Sequence, residues 1–295
     1  MDIFQCVPNV SASDPELLEE MAGACGEFAR VHDYSCDSDH NRSVITMTGT
    51  AEELLPALVQ LARLCLEHID LNSHKGVHPR IGALDVVPVV PLFGASMESA
   101  AELSYNIGEA VSSLGIPVYF YEESAHNRAY RYLENIRRGG FEWLRDHPGE
   151  RPPDLGEGLH PTAGACVIGA REPLVAFNVN LDTRDTEIAK TIASEIRSRR
   201  KKKDKRFEGV KALGLFLRSS GTVQVSTNIT RPHKTGVFPV YDYIRQRAEE
   251  LGCSVRGSEL IGVIAEDIST GIVKDALKLE DFDPARIIRK ADDPD

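Results

Sequence analysis

A short stretch rich in ionisable side chains, HKGVHPRIG from His74 to Gly82, comes directly before an apolar run. Glycine and proline disfavour a continuous helix, and Gly76, Pro79 and Gly82 are spread along the stretch. We therefore expect a loop carried by the strand that follows it, a setting in which catalytic groups concentrate. Histidine is the side chain best suited to take up and return a proton near neutral pH.

The two histidines of this loop allow more than one interpretation. Pro79 biases the backbone of His78 towards an extended conformation, which suits either a catalytic imidazole or one that only hydrogen-bonds the loop. His74 and His78 have the spacing of a zinc-protease pair, but that motif needs a helix and a glutamate where this chain has Lys75. We expect no metal here.

Other residues have types that suit ligand binding. Arg42 and Arg80 are candidates for a carboxylate, because a guanidinium group donates two parallel hydrogen bonds to it; a structural salt bridge is the alternative for each. The small residues of the segment His160–Gly164 would let a flat ligand approach the backbone closely.

Polar side chains alternate with apolar ones on two predicted strands. Asn178 and Asn180 share one face of the first strand, and Gln224, Ser226 and Asn228 share one face of the second. Such faces are either solvated surface or the lining of a groove that binds a polar ligand without adding charge.

The order of apolar runs predicts an α/β (α+β) protein made of two ferredoxin-like α/β sandwich subdomains. Residues 2–90 follow a β-α-β-β-α-β pattern, with helices near 14–29, after Ser13 as N-cap, and 51–68. The second half repeats the order, with strands near 165–169, 173–181, 210–217, 222–228 and 253–257 and helices near 184–203 and 236–251. Further helices are predicted near 124–138 and 266–280.

Residues 139–161 are rich in glycine and proline and are the predicted junction. We assign the subdomains to residues 1–162 and 163–295.

No apolar run approaches the ~20 residues that span a bilayer, and we see no signal peptide, so no membrane partner is expected. The six cysteines form no CxxC pair, which favours reduced thiols and a cytoplasmic location.

The net charge of −11 disfavours nucleic acid as a partner. Segment 197–206 is an exception, with eight basic residues and one acidic residue. Three interpretations stay open: a solvated helix end, a dock for an anionic substrate tail, and a nucleic-acid contact, which would lack interleaved aromatic residues.

Several motifs together resemble the formiminotransferase domain of glutamate formimidoyltransferases. In chain order they are CVPN from Cys6, NRSV from Asn41, HKGVHPR from His74, GALDVVP from Gly82, PVYFY from Pro117, GA from Gly164, GAR from Gly169, AFNVNL from Ala176 and QVSTN from Gln224. They cover nearly the whole chain, and their combination is specific although no single motif is.

The resemblance implies two subdomains that form a folate-binding groove between them, usually in a homodimer. It implies transfer of the formimidoyl group from N-formimidoyl-L-glutamate to N5 of tetrahydrofolate, the co-substrate, in histidine degradation. The family's active-site histidine falls on His78, and its folate loop falls on residues 156–164. With the residues above, the expected substrate- and folate-binding set is Asn9, Arg42, Arg80, Gly156, Gly158, His160, Thr162, Gly164, Asn178, Asn180, Gln224, Ser226 and Asn228.

Two alternatives use the same fold and groove: formyl transfer from 5-formyltetrahydrofolate to glutamate, and folate binding without catalysis.

The chain departs from the family after Asn9, where Val10 to Ser13 stand in place of the frequent Phe-Ser-Glu-Gly. It stops at residue 295 without the cyclodeaminase domain of bifunctional relatives, so we expect a separate cyclodeaminase to act downstream.

Overall fold

A computed structural model describes residues 1–38, 40–76, 79–217, 221–232, 234–265 and 287–288. The chain forms two compact units, Met1–Arg171 and Glu172–Asp295. The predicted boundary after residue 162 is too early, because the strand Cys166–Ala170 pairs in parallel with two strands of the first unit.

The strands described in the first unit form one seven-stranded sheet. Its strands are β1 Phe4–Cys6, β2 Asn9–Val10, β3 Arg30–Asp37, β4 Arg42–Gly49, β5 Leu84–Pro91, β6 Val118–Phe120 and β7 Cys166–Ala170. The helices are α1 Pro15–Gly26, α2 Ala51–His68, α3 Met97–Ser112, α4 Leu133–Ile136 and α5 Gly140–Asp146. Both β1 and β2 lie between β4 and β5, and β3 pairs with β4, so the predicted ferredoxin-like order is confirmed. Strands β7 and β6 extend the sheet beyond β5 in parallel.

Local sequence explains where the first two helices begin. A capping box between Thr50 and Glu53 starts α2, whose leucines at helical spacing are buried against the sheet. The N-cap of α1 is Asp14 rather than the predicted Ser13, because its carboxylate accepts hydrogen bonds from the first two free backbone N–H groups. Ser13 instead donates to the side chain of Asn41 at 2.9 Å.

The predicted helix over residues 124–138 is wrong as a continuous element. Two 3-10 turns and the short α4 occupy this segment, because the buried residues Ser124, Tyr130 and Ile136 are six apart and share no helical face. The predicted junction also belongs to the first unit. It contains α5, and the N–H of Leu155 donates to the Val118 carbonyl at 3.1 Å.

The second unit repeats the ferredoxin-like order. Its elements are β8 Val175–Leu181, α6 Thr186–Lys201, β9 Val210–Leu217, β10 Thr222–Ile229, α7 Val237–Glu250, β11 Val255–Ile261, β12 Ile264–Ala265 and β13 Ile287–Ile288. The four antiparallel strands are ordered β11-β8-β10-β9, and α6 and α7 pack on the face that carries Phe177 and Val179. The predicted helix near 266–280 lies outside the described residues. No helix of the described ranges has the length and apolar character needed to cross a membrane.

Candidate functional site

A cleft in the first unit brings together three of the predicted binding residues, Asn9, Arg42 and Arg80. Its full lining is Asn9, Val10, Ser11, His40, Asn41, Arg42, His74, Arg80 and Asp85. These residues come from β2 and the residue after it, from the start of β4 and the turn before it, and from β5 and the loop before it. The sheet order places β2 between β4 and β5. His78, the predicted catalytic residue, lies outside the described residues.

Asn41 joins the two loops that form one side of the cleft. Its backbone is left-handed, with φ of 49°, a conformation that asparagine tolerates better than most residues. The side-chain amide donates to the carbonyl oxygen of Lys75 at 2.9 Å. The loops pass so closely that a Cβ atom at Gly76 would lie 2.4 Å from the His40 carbonyl oxygen. Glycine is therefore required at residue 76 by this contact.

His74 is held as a neutral imidazole at the edge of the cleft. Its Nε2 lies 2.9 Å from the carbonyl oxygen of Asn41, which can only accept, so Nε2 carries the proton. Burial lowers the pKa of His74, and the positive charge of Arg80 lowers it further, whereas the bond to Asn41 acts in the opposite direction. Nδ1 is buried and has no hydrogen-bond partner within the described ranges. The ring thus presents an unused proton acceptor.

Arg80 makes the structural ion pair that the sequence left open. Its Nη2 donates to Oε1 of Glu142 at 2.9 Å and also to the carbonyl oxygens of Leu71, at 3.3 Å, and His74, at 3.2 Å. The Arg80 side chain is 11% exposed, so these contacts are largely shielded from water. Arg80 therefore holds the backbone at Leu71 and His74 against α5.

Asp85, at the start of β5, also holds the loop before β5 in place. It is 2% exposed, and its Oδ1 accepts from the N–H groups of Ile81, at 2.8 Å, and Gly82, at 3.2 Å. Its Oδ2 accepts from Nη2 of Arg137, which follows α4. A buried carboxylate with three donors is well compensated, so this arrangement holds the backbone just after the His-Pro-Arg motif.

Arg42 lines the same cleft and is half-buried, with its Nε atom shielded from solvent. Burial and then the positive charge of Arg137 lower the pKa of Arg42 to about 10, while Asp85 and Asp37 act in the opposite direction. Arg42 is therefore still cationic at neutral pH. A cation shielded from water interacts more strongly with a ligand carboxylate than an exposed one does, which suits the predicted binding role.

The predicted folate loop packs against the loop before β5. The N–H of Ala165 donates to the carbonyl of Ile81 at 2.9 Å, and the N–H of Leu71 donates to that of Thr162 at 2.8 Å. Gly164 has φ of 70°, and a Cβ atom there would lie 2.0 Å from the Ile81 oxygen. Nδ1 of His160 accepts from the N–H of Ala163 at 3.0 Å, which closes the turn.

Within the same loop, the two earlier glycines differ in surroundings. A Cβ atom at Gly156 would contact Pro117, whereas one at Gly158 would meet nothing within 4 Å. Gly158 therefore lies in an open, exposed part of the loop.

The five predicted residues of the second unit lie on one polar face of its sheet. Asn180 pairs directly with Gln224, and Asn178 pairs with Ser226 in the same ladder. Asn180 and Gln224 are buried, Asn178 and Ser226 are half-buried, and Asn228 is exposed. Two hydrogen bonds bring Glu259 of β11 into this group, one from Asn180 at 2.7 Å and one from Gln224 at 3.2 Å.

Several residues of both sites were not predicted from the sequence. Asp85 had a signal, since an aspartate inside the apolar run GALDVVP needs buried donors. Glu259 was missed because the last strand was predicted to end at residue 257, whereas β11 runs to Ile261. Arg137 and Glu142 had no local signal, because their partners Asp85 and Arg80 are more than fifty residues away along the chain.

Comparison with known proteins supports the same division of the chain. The model of the formiminotransferase domain, N-terminal subdomain, matches residues 3–171, and that of the formiminotransferase domain matches residues 176–272. The chain is 36% identical over 288 residues to glutamate formimidoyltransferase of Streptococcus pyogenes serotype M1, covering 95% of each. It is 36% identical over 298 residues to that of Thermoplasma acidophilum, covering 98% of this chain and 97% of the relative.

A bifunctional relative shares the same region. Formimidoyltransferase-cyclodeaminase of Gallus gallus is 36% identical over 272 residues, which are 89% of this chain and 50% of that protein. Both units match the family models, and the relatives match over nearly the full chain. The chain therefore belongs to the formiminotransferase family.

Proposed function

We propose that this protein transfers the formimidoyl group of N-formimidoyl-L-glutamate to N5 of tetrahydrofolate and releases L-glutamate. The carrying observation is the cleft that gathers Asn9, Arg42, His74 and Arg80 beside the His-Pro-Arg motif. Its support is that both units match the formiminotransferase models and that two near-full-length relatives are named glutamate formimidoyltransferase.

The reaction needs one proton to move between two nitrogens. N5 of tetrahydrofolate attacks the amidine carbon, so a new N–C bond forms while N5 carries its proton. The bond from this carbon to the glutamate nitrogen then breaks, and that nitrogen must gain a proton. One imidazole serves as base and then as acid, which is worth about 10²- to 10⁴-fold in rate. We assign this role to His78.

The two substrates are assigned to different groups of residues. The carboxylates of the donor need cations, and we assign Arg42 to one of them because its guanidinium group lines the cleft. Arg80 lines the same cleft and is also assigned to the donor carboxylates, although Glu142 already pairs with it. Tetrahydrofolate, the co-substrate, is assigned to the loop of Gly156, Gly158, His160, Thr162 and Gly164. The polar face of the second unit is assigned separately, as a surface that binds a polar ligand.

Assembly and location are part of the proposal. Family resemblance supports a homodimer, which light scattering after gel filtration would test. All six cysteines are free thiols, which supports a reducing compartment such as the cytoplasm. We also propose that a cyclodeaminase consumes the product as a separate protein, since relatives matched over nearly their full length are named for the transferase alone. Co-purification and a coupled assay of the two activities would test it.

The product identifies the reaction directly. The wild-type protein is incubated with tetrahydrofolate and formimidoylglutamate, and in parallel with 5-formyltetrahydrofolate and glutamate, and folate products are separated by chromatography. We expect 5-formimidoyltetrahydrofolate from the first pair only. Turnover of the second pair alone would replace the proposal by formyl transfer, and folate binding without turnover of either pair would make the protein a binding module.

A further inference from the structure

The first turn of α5 holds Arg80 at two points, one on its backbone and one on its side chain. The carbonyl oxygen of Arg80 accepts from the N–H of Phe141 at 2.9 Å, and its Nη2 donates to Oε1 of Glu142 at 2.9 Å. The first N–H groups of a helix have no partner within it, so this carbonyl supplies an acceptor that α5 itself lacks. Glu142 is the third residue of α5, where a glutamate often caps its own helix, but its side chain bonds Arg80 instead.

The contacts of Arg80 leave one of its three guanidinium nitrogens for a ligand. Nη2 carries two N–H groups and has three acceptors, which are Glu142 and the carbonyl oxygens of Leu71 and His74, so it has no donor to spare. Nε is buried and has no hydrogen-bond partner, so a ligand does not reach it in this conformation. Within the described ranges Nη1 makes no hydrogen bond. Because Arg80 lines the cleft, Nη1 is the donor group that remains for a ligand there.

The position of α5 does not depend on its contact with Arg80. Phe141 and Leu144 are buried on the inner side of this helix. The guanidinium group of Arg151 lies 4.2 Å from the ring centroid of Trp143, and its Nη1 donates to the carbonyl of Ile136, at the end of α4, at 2.6 Å. Packing therefore sets the place of Glu142, and Glu142 in turn fixes Nη2 of Arg80.

Glu142 acts on Arg80 without lining the cleft. Its side chain is 51% exposed, whereas that of Arg80 is 11% exposed. Burial raises the pKa of Glu142, but hydrogen bonds from its own backbone N–H and from Arg80 lower the pKa below its ordinary value, so the carboxyl group is ionised at neutral pH. An ion pair with one partner this exposed contributes little to stability, so Glu142 can be substituted without unfolding the protein.

We propose that Glu142 is a positioning residue for the donor: by holding Nη2 of Arg80, it leaves Nη1 oriented to bind a carboxylate of formimidoylglutamate. This inference rests on the proposed function, which assigns Arg80 to the donor carboxylates. Without Glu142 the guanidinium group loses its charged partner, and ordering it again on binding costs affinity. Glu142 therefore acts on the affinity for the donor, and not on proton transfer or on tetrahydrofolate.

Steady-state kinetics of the full chain, with KM measured for each substrate, tests this role. Glu142→Ala should raise KM for formimidoylglutamate at least ~10-fold, the effect of one hydrogen bond to a charged group, and leave kcat and KM for tetrahydrofolate within about twofold. Glu142→Gln keeps an Oε1 acceptor and should recover most of the donor affinity. The matched control is Glu123→Ala, which breaks the ion pair with Arg131, neither of which lines the cleft, and should change neither KM.

A second background separates positioning from a general structural defect. In Arg80→Ala, the substitution Glu142→Ala should not lower kcat/KM for the donor further, because no guanidinium group is left to position. An equal loss in both backgrounds, or a rise in KM for both substrates, would overturn the inference. So would an unchanged donor KM in Glu142→Ala, or a lower one, which would show that Glu142 competes with the donor carboxylate. A wild type that does not turn over formimidoylglutamate would instead overturn the proposed function, and this inference with it.

Discussion

Nε2 of His74 donates a hydrogen bond to the carbonyl oxygen of Asn41 at 2.9 Å, and this bond joins the loop before β5 to the turn before β4. Asn41 returns a bond from its side-chain amide to the carbonyl of Lys75, the next residue of that loop. Two hydrogen bonds at neighbouring residues thus connect the two segments that supply most of the polar residues of the cleft. These two hydrogen bonds hold Arg42, which follows Asn41, in position relative to the loop before β5.

The first prediction concerns pH and His74. Burial lowers its pKa in the folded protein below the ordinary value of 6.5, so the unfolded chain takes up the proton first as pH falls. The contribution of neutral His74 to the free energy of unfolding is complete above pH 6.5 and declines below it. His74→Gln keeps an N–H donor but cannot titrate, so urea unfolding between pH 8 and pH 5 should show a weaker loss of stability in the variant. Parallel pH curves for the two proteins would contradict the buried, neutral state of His74.

The second prediction concerns the close approach at Gly76. A Cβ atom there would lie 2.4 Å from the carbonyl oxygen of His40, which is backbone and has little freedom to shift. Gly76→Ala should lower the free energy of unfolding by about 2 kcal/mol, a typical cost of overpacking, and should reduce transfer activity. Gly23→Ala is the control, because nothing lies within 4 Å of its Cβ position on α1. That variant should gain about 0.5 kcal/mol in helix stability. Equal effects of the two substitutions in urea unfolding would refute the tight contact.

The third prediction concerns the buried pair of Asp85 and Arg137. Removing one partner leaves an uncompensated buried charge, so Asp85→Asn and Arg137→Gln should each cost about 3 kcal/mol of unfolding free energy. The double variant should cost well below the sum, with a coupling of about 2 kcal/mol in a double-mutant cycle. The exposed pair of Arg131 and Glu123 provides the comparison, and its coupling should stay below about 1 kcal/mol. Additive costs at Asp85 and Arg137 would show that they act independently.

Much of the fold follows from sequence patterns that act over short distances. The leucine spacing of α2 and the alternation in β8 and β10 specify their elements, because each pattern matches one buried face. Segment 124–138 was mispredicted because its helix-forming residues lack a continuous apolar stripe, and burial in the first unit decided its course. The boundary was misplaced because β7 pairs with β5, a partner far away in sequence.

The candidate site was predictable in its residue types but not in its partnerships. Asn9, Arg42 and Arg80 stood out by motif, and the cleft brings them together. Sequence could not show that Arg80 is engaged by Glu142 on α5, since that contact depends on how the segment 133–146 folds back. Nor could it show that Asn180 and Gln224 orient Glu259, because three strands must first align in register.

The most direct test of the account is single-turnover transfer from formimidoylglutamate to tetrahydrofolate, followed by formation of 5-formimidoyltetrahydrofolate, in the wild type and in His78→Ala. We expect product from the wild type and a rate at least ~100-fold lower in the variant, with folate affinity and the unfolding midpoint unchanged. A wild type that binds folate and forms no product, or a His78→Ala variant that transfers the group at the wild-type rate, would contradict it.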